Sequence, residues 1–247
     1  MSSLPDVVSR KDWIAARKAL LVDEKAMTRA RDQLSAARRR LPMVRVDVEC
    51  SVEGPEGRAT LLDLFDGRRQ LIVQHFMFDP EWDEGCPGCT AGCDEISDGL
   101  LGHLAARDTS LVMVARAPLS KLDAYRNRRR WTFPWYSSFG SSFNYDFHVT
   151  LDSSVTPVEF NYRGLPELSV VGMDWMAEGS WEQPGYSTFL TDGDQVFHTY
   201  STFGRGTESL GGSYYFLDLT ALGRREEWEE PKGRVDVPRE NIPDFRQ

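Results

Sequence analysis

The stretch of this chain that most constrains its fold runs from Leu71 to Cys93, with the sequence LIVQHFMFDPEWDEGCPGCTAGC. Its first eight residues, ending at Phe78, are apolar except for Gln74 and His75. A short run that is apolar on both faces predicts a strand covered by helices on both sides, as in a parallel sheet. We therefore expect an α/β domain organised around this strand.

An acidic loop, Asp79–Gly85, follows the strand and leads into Cys86-Pro87-Gly88-Cys89. Pro87 suits the first turn of a helix because its φ is preset, which places Cys86 at the N-terminal end of that helix. Two cysteines three residues apart on a helix share a face and can form one disulfide. A helix N-terminus also favours negative charge and lowers the pKa of a thiol. The order strand, loop, Cys-Pro-Gly-Cys, helix is what dithiol–disulfide chemistry requires.

The bulk properties of the 247-residue chain narrow the class of protein. The length predicts one domain with extensions, and the formal net charge of −9 argues against a nucleic-acid partner. The sequence has no run of eighteen apolar residues and no apolar signal segment at its start, so we expect a cytoplasmic location. Four cysteines are too few for a disulfide framework in such a chain, so a Cys-x-x-Cys indicates catalysis or metal binding.

Three segments are predicted along the chain. An N-terminal helical extension covers 1–42, the main domain covers 43–222 with an insertion around 148–185, and a C-terminal tail covers 223–247. The extension is expected to be one long helix over Ser9–Arg40, with an apolar stripe at seven-residue spacing: Trp13, Leu20, Met27, Leu34 and Leu41. Such a helix is interpreted either as a brace across the domain surface or as an arm that forms a homodimer.

The helix that begins after Cys86 is expected to continue to about Ala106. Its predicted buried stripe at helical spacing consists of Cys89, Cys93, Ile96, Leu100 and Leu104. A second helix over Leu119–Arg130 presents a cluster of arginines, Arg126–Arg130, which is interpreted as a solvated face or as an anion or glutathione site. Tyr214–Leu222 is expected to be a closing helix.

The order of these elements, followed by a hairpin and a last helix, resembles the thioredoxin-like fold. The segments GRATLLDLFDGRRQLIVQHFMF and SLVMVARAPLSKLDAYRNRRRWTFPWYSS resemble its peroxiredoxin-like branch. HFMFDPEWDEGCPGC, RAPLSKLDAYR, WTFPWYSSFGSSFNYDF and VFHTYSTFGRG together resemble a bacterial family of unknown function, the DUF899 type, whose members are predicted dithiol–disulfide oxidoreductases. The resemblance implies a central mixed sheet with helices on both faces, plus the long N-terminal helix.

In the function that the resemblance implies, Cys86 and Cys89 are the catalytic residues and no cofactor or metal is needed. Cys86 attacks first because it is nearest the helix start, and Cys89 resolves the mixed disulfide. The partners are a thiol or disulfide substrate and a thiol reductant. Because carboxylates crowd the preceding loop (Asp79, Glu81, Asp83, Glu84), we expect Cys86 to be only modestly acidic.

Two departures from thioredoxin are visible in the sequence. Thioredoxins carry Trp-Cys-Gly-Pro-Cys, whereas Gly85 precedes the pair here and the Pro and Gly are exchanged. Thioredoxins also place a cis-proline just before the hairpin, facing the cysteines. By alignment Ser187 takes that place, with Pro184 three residues earlier.

Two other functions stay open at this point. A thiol peroxidase would use Cys86 with a nearby hydroxyl and arginine; Thr90 and Arg116 are available by type, although the expected Thr-x-x-Cys spacing before Cys86 is absent. A non-catalytic protein would hold a metal with Cys86, Cys89 and Cys93, completed by one of two histidines, His75 or His103.

Three further side chains have alternative interpretations. Cys93 is either a core residue or a third redox thiol. His75 either hydrogen-bonds a neighbour within the buried strand or faces the cysteines and carries protons. Cys50 lies on the apolar face of a strand predicted over Val44–Val52 and is interpreted as a buried structural thiol.

Overall fold

The computed structural model of the chain describes residues 4–46 and 51–210, together with positions 212, 217, 219–220, 226–228, 230 and 232. The helices are α1 (Arg10–Arg38), α2 (Pro87–Asp94), α3 (Asp98–Ala105), α4 (Leu119–Arg129), α5 (Phe143–Asp146) and α6 (Leu165–Val170). The strands are β1 (Val44–Arg45), β2 (Ser51–Gly54), β3 (Gly57–Thr60), β4 (Gln70–His75), β5 (Thr109–Ala115), β6 (Trp135–Ser137), β7 (Thr150–Asp152), β8 (Glu159–Phe160), β9 (Arg163–Gly164), β10 (Ser180–Glu182), β11 (Gly185–Asp192) and β12 (Gln195–Phe203).

The chain separates into two compact units. One consists of Met1–Pro42 with Phe216–Asn241, and the other of Met43–Tyr215 with Ile242–Gln247. α1 lies in the first unit, and β1–β12 with α2–α6 lie in the second. Among the described helices, none combines the length and the apolar character that crossing a membrane requires.

An eight-stranded mixed sheet forms the centre of the second unit. Its strand order is β1-β12-β11-β4-β5-β6-β2-β3. β4 pairs in parallel with β5, and β5 pairs in parallel with β6. The β11–β12 hairpin lies antiparallel on the other side of β4. β4 is therefore an interior strand with a neighbour on each side, as its two-sided apolar sequence predicts.

Side chains of β4 and β5 alternate between two cores, one on each face of the sheet. We call the first the histidine face, because His75 packs there beside Phe143 and Phe147. Its residues from β4, β5 and β11 are Leu71, Val73, Val112, Val114 and Phe189. We call the second the cysteine face, whose core contains Phe76, Cys89, Cys93, Leu111, Met113, Leu122 and Tyr125. Parallel strands joined by helices, with an antiparallel hairpin beside the first strand, make this a thioredoxin-like α/β fold, so the predicted fold class is confirmed.

The long N-terminal helix is confirmed as α1. Ser9 caps it, since its hydroxyl accepts a hydrogen bond from the backbone N–H of Asp12 at 3.2 Å. No residue of α1 is buried, and the five side chains of the apolar stripe, from Trp13 to Leu41, are 48% to 70% exposed. The brace and the dimerisation arm both stay predictions.

The single helix expected from Cys86 to about Ala106 is wrong, because the chain forms two helices there. α2 ends at Asp94, and Ser97 starts α3 by accepting the backbone N–H of Leu100 at 3.2 Å. No residue of α3 is buried, and Leu100 is 42% exposed. The sequence has the cap that makes this break, a serine followed by Asp98 in the first turn of the new helix, and the helical spacing of apolar residues conceals it.

The remaining elements follow the predicted order. The insertion forms short strands and a small helix, β7–β10 with α6, around a small core of Leu151, Val158, Leu168 and Met176. The hairpin is confirmed and is longer than predicted. Cys50 and most of the predicted closing helix lie outside the described residues.

Candidate functional site

The candidate site lies where β4 leaves the sheet and α2 begins. The loop between them returns to the end of the strand, because the backbone N–H of Cys86 donates to the carbonyl of Met77 at 3.0 Å. Gly85 is needed for this return. A Cβ on Gly85 would lie 2.6 Å from a carbon of the Phe76 ring, which is itself buried. The ring of Phe76, which follows β4 directly in the chain, thus occupies the space beside Gly85.

Cys86 is the N-cap residue of α2, and Pro87 occupies its first turn, as predicted. Cys86 is partly exposed, whereas Cys89, one turn further on, is 7% exposed. Both are free thiols. One thiol of the pair is therefore partly open to solvent, while the other lies in the protein interior.

The pKa values of the two thiols move in opposite directions. The hydrogen bond from the Cys89 thiol, together with the backbone N–H groups of Cys89 and Gly88, lowers the pKa of Cys86 to about 6, against the opposing effect of burial. For Cys89, donation of its proton to Cys86 and complete burial raise the pKa well above its ordinary value. The arrangement supplies one accessible thiolate and one protonated thiol in contact.

The composition of the acidic loop predicts that its carboxylates oppose ionisation of Cys86, and the structure differs from that prediction. Its carboxylates are not among the groups that set the pKa of Cys86. Asp79 pairs with Arg116, and Glu84 pairs with Arg128 at 2.8 Å. Because arginines neutralise two of these carboxylates, the main effect opposing the thiolate is burial and not like charge.

Thr90, one of the two residues considered for a peroxidase, is in place near Cys86 but is bonded elsewhere. Its hydroxyl donates to the backbone carbonyl of Cys86 at 2.9 Å and lies 2.8 Å from the hydroxyl of Tyr125. Thr90 and Tyr125 are both buried. The hydroxyl thus holds the backbone of the first turn and leaves the sulfur to other donors.

Arg116, the other candidate, is engaged by two carboxylates. Its Nε donates to Glu182 at 2.6 Å, and its terminal nitrogen pairs with Asp79. Glu182 is 4% exposed and also accepts hydrogen bonds from Thr150 and Asn144. Burial raises the pKa of Glu182 and the nearby guanidinium opposes that shift. Arg116 therefore joins the start of the cysteine loop to β10 of the insertion.

Cys93 is fully buried, and its surroundings disfavour the reactive thiolate form. Burial, with the nearby charge of Asp94, raises its pKa far above the ordinary value, and the side chain of Gln74 donates a hydrogen bond to its sulfur. These observations favour the core interpretation over a third redox thiol.

The histidines do not join the cysteines. His75 lies on the histidine face, where its Nε2 is 2.8 Å from Ser187 Oγ, so the hydrogen-bonded interpretation is confirmed. A chain of hydrogen bonds continues from Ser187 to Ser201 and on to His198, at 2.7 Å for each step. Within the described part of the chain, no three His, Cys, Asp or Glu side chains are grouped closely enough to share a metal ion.

Arg128 and Arg130 are exposed, as the solvated-face interpretation expects, and two arginines of α4 also pair with carboxylates. Arg129 and the indole of Trp131 both bind the carboxylate of Asp94 at the end of α2. Arg128 binds Glu84, two residues before Cys86. α4 thus holds the cysteine helix at its end and the cysteine loop at its approach.

The position before the hairpin is also corrected. β11 begins at Gly185, which lies opposite His75 at the end of β4, so the residue directly before the hairpin is Pro184. Ser187 lies two residues inside the strand, opposite Val73, and is fully buried on the histidine face. The predicted hairpin began at Ser187, two residues after the observed start of β11 at Gly185.

Three contributing residues were not identified from the sequence. The spacing in α4 indicates that Tyr125 points inward, but nothing local shows that its hydroxyl reaches Thr90. Gln74 is recognisable only as a polar residue in a buried strand, and Glu182 has no local signal at all. All three act through partners distant in sequence.

Several solved peroxiredoxin structures are similar to part of this chain. Peroxiredoxin Q of Xanthomonas campestris, in a cysteine-to-serine variant, is 13% identical with a TM-score of 0.43, covering 65% of this chain and 86% of that one. The peroxidoxin BcpB of Mycobacterium tuberculosis is 17% identical with a TM-score of 0.43, covering 66% and 85%. The reduced 2-Cys peroxiredoxin of Plasmodium vivax is 10% identical with a TM-score of 0.39, covering 66% and 82%.

No protein of curated function matches the sequence. The chain belongs to a bacterial protein family of unknown function, DUF899, which matches residues 2–241.

Proposed function

We propose that this member of the DUF899 family is a thiol–disulfide oxidoreductase that cycles Cys86 and Cys89 between dithiol and disulfide. The observation that carries the proposal is the pairing of a partly exposed Cys86 at a helix N-terminus with a buried free thiol, Cys89, one turn further along the same helix. With a pKa of about 6, Cys86 is roughly nine-tenths thiolate at pH 7, whereas an ordinary thiol is only a few per cent ionised.

The reaction begins when the Cys86 thiolate attacks one sulfur of a substrate disulfide, RSSR′. A bond forms between Cys86 and RS, and R′S⁻ leaves. The Cys89 thiol passes its proton to R′S⁻ and attacks the Cys86 sulfur, which releases RS⁻. RS⁻ takes a proton from water. Two electrons pass from the cysteine pair to the substrate, and a thiol reductant returns them by the reverse exchange.

The opposite pKa shifts suit these two steps. A thiolate at the surface is the better nucleophile, so Cys86 makes the first attack. Cys89 keeps its proton while Cys86 is charged, and loses that hydrogen-bond acceptor once Cys86 is in a mixed disulfide. The part of the raised pKa of Cys89 that comes from this hydrogen bond therefore belongs to the resting state, whereas the part that comes from burial persists.

A peroxidase has less support from this geometry. Thr90 and Arg116 are committed to a backbone carbonyl, a phenol and two carboxylates, and none of these bonds directs them at a peroxide next to Cys86. The described residues also supply no preformed ligand set for the metal-binding alternative. We therefore give disulfide exchange precedence over both.

The proposal is tested by insulin reduction and peroxide consumption, each with the wild type, Cys86→Ser and Cys89→Ser. We expect Cys86→Ser to reduce the insulin-reduction rate to background. Cys89→Ser should accumulate a mixed disulfide with its substrate, visible as added mass on Cys86. Cys93→Ser is the matched control on the same helix and should retain the wild-type rate.

Two results would overturn the proposal. Equal insulin reduction by wild type and Cys86→Ser would remove this site from the chemistry. Peroxide consumption that depends on Cys86, without insulin reduction, would replace the oxidoreductase by a peroxidase.

A further inference from the structure

A buried chain of hydrogen bonds runs from α4 to the first turn of the cysteine helix. Thr90 Oγ donates to the carbonyl of Cys86 at 2.9 Å, and Tyr125 Oη lies 2.8 Å from Thr90 Oγ. A hydroxyl has a single proton, so Thr90 must accept from Tyr125 while it donates to Cys86. The direction of the chain is therefore Tyr125 to Thr90 to the Cys86 carbonyl.

The chain is closed to water. Thr90 is 4% exposed and Tyr125 is 5% exposed. Burial raises the pKa of Tyr125, so the phenol keeps its proton and remains a donor. A buried hydroxyl that loses its partner keeps the full penalty of being unsatisfied, because water does not reach it.

The first turn of α2 gains little from intrinsic helix propensity, because it contains Gly88, which is a poor helix former. Yet the N–H groups of Gly88 and Cys89 must point at the sulfur of Cys86 to stabilise a thiolate. The carbonyl of Cys86 is held twice by Thr90, through its backbone N–H at 2.9 Å and through its hydroxyl.

We propose that Tyr125 and Thr90 are positioning residues, which act through the backbone of Cys86 to keep the Gly88 and Cys89 amides aimed at the attacking sulfur. Tyr125 is suited to this because its ring is fixed by Phe76, Phe78, Trp131 and Trp135, so that the hydroxyl has one available position. The inference rests on the proposed function, since it explains how the reactive state of Cys86 is maintained.

The test compares Tyr125→Phe with wild type by the pH dependence of iodoacetamide alkylation at Cys86, resolved from the other cysteines by tandem mass spectrometry. Tyr125→Phe keeps the ring and removes one hydroxyl. We expect the inflection of the alkylation profile to move about one pH unit upward, which is a tenfold change in the thiolate-to-thiol ratio. Thr90→Val should move it in the same direction, and Thr90→Ser should restore the wild-type profile.

Tyr162→Phe is the control for the loss of a tyrosine hydroxyl bonded to a backbone carbonyl, at a position that is 61% exposed. Tyr162 also donates its hydroxyl to a backbone carbonyl, that of Ser201 at 3.0 Å, and it packs against Phe203 of the histidine-face core. We expect its alkylation profile to equal that of the wild type. A Tyr125→Phe protein that folds and shows the wild-type inflection would overturn the inference. If Tyr125→Phe does not fold, a wild-type inflection for Thr90→Val would do so.

Alkylation does not require disulfide exchange, so the outcome is separable from that of the proposed function. A shifted inflection in a protein that never reduces insulin would support the positioning role and remove the oxidoreductase. An unshifted inflection in an active enzyme would do the opposite.

Discussion

The two faces of the central sheet bury similar polar groups, but only one of them presents a reactive atom to solvent. On the histidine face, His75 is 2% exposed and hydrogen-bonds into a closed chain with Ser187, Ser201 and His198. On the cysteine face, Cys89 is buried in the same way but is in contact with the partly exposed Cys86.

Burial and hydrogen bonding account for the difference. Complete burial lowers the pKa of His75 to about 3, so the ring stays neutral and is withdrawn from acid–base chemistry near neutral pH. Three donors lower the pKa of Cys86 to about 6 in spite of its burial, so the thiol ionises near neutral pH. The amino-acid type alone therefore does not decide whether the side chain of His75 or that of Cys86 ionises near neutral pH.

The largest expected contrast is in chemical reactivity. In the native, reduced protein at pH 7, we expect iodoacetamide to modify Cys86 at least about 1,000 times faster than Cys93, because Cys86 is mostly thiolate and Cys93 is neither ionised nor accessible. Time-resolved peptide mass spectrometry measures both rates in one sample. Comparable rates would mean that the cysteine face is open.

Next in size is the effect of filling the space at Gly85. Gly85→Ala forces a methyl group into the Phe76 ring, and we expect a loss of about 3 kcal/mol in the free energy of unfolding, measured by urea denaturation. Gly102→Ala is the control, because no atom lies within 4 Å of its added Cβ and alanine is the better helix former. Destabilisation by Gly102→Ala equal to that by Gly85→Ala would contradict the packing argument.

On the histidine face the expected effect is in acid stability. The pKa of His75 is about 3 in the folded chain and near 6.5 in the unfolded chain. Between these two pH values the unfolded state binds more protons, so the free energy of unfolding decreases as the pH is lowered. Lowering the pH from 7 to 5 should reduce the free energy of unfolding by about 2 kcal/mol. His75→Gln keeps a side chain that can hydrogen-bond to Ser187 and does not titrate, so its stability should fall less over the same interval, as chemical denaturation at each pH would show.

The expected difference in acid stability between wild type and His75→Gln is due to His75 and not to the nearby His198. Burial lowers the pKa of His198 as well, and His198 is present in both proteins. Parallel stability curves for wild type and His75→Gln would show that His75 is protonated in the folded state.

The smallest expected effect tests the arginines of α4. The pair between Arg128 and Glu84 is exposed, with 58% and 62% of the side-chain surfaces accessible. We expect Arg128→Ala to change the free energy of unfolding by less than about 0.5 kcal/mol and to move the Cys86 inflection upward only slightly at physiological salt. A shift as large as that expected for Tyr125→Phe would mean that charge, and not backbone position, controls the thiol.

Much of the fold can be predicted from local patterns in the sequence. The run Leu71–Phe78 predicts a buried strand because both of its faces are apolar, and the sheet places it between β11 and β5. α1 is predictable from Ser9 and its apolar spacing, since a capped helix of that composition needs no tertiary contact to be recognised. Periodicity fails between α2 and α3, where a cap at Ser97 ends one helix and starts another.

The sequence by itself determined that a strand leads into Cys-Pro-Gly-Cys at a helix start, because proline, glycine and apolar runs act on their immediate neighbours. Only the tertiary structure decided which thiol is exposed, which groups donate to its sulfur, and that His75 lies on the other face from the cysteines. The physical reason is that burial, hydrogen-bond partners and ion pairs join residues such as Thr90 with Tyr125 and Asp79 with Arg116, which lie 35 and 37 positions apart. Chain order alone does not encode those distances.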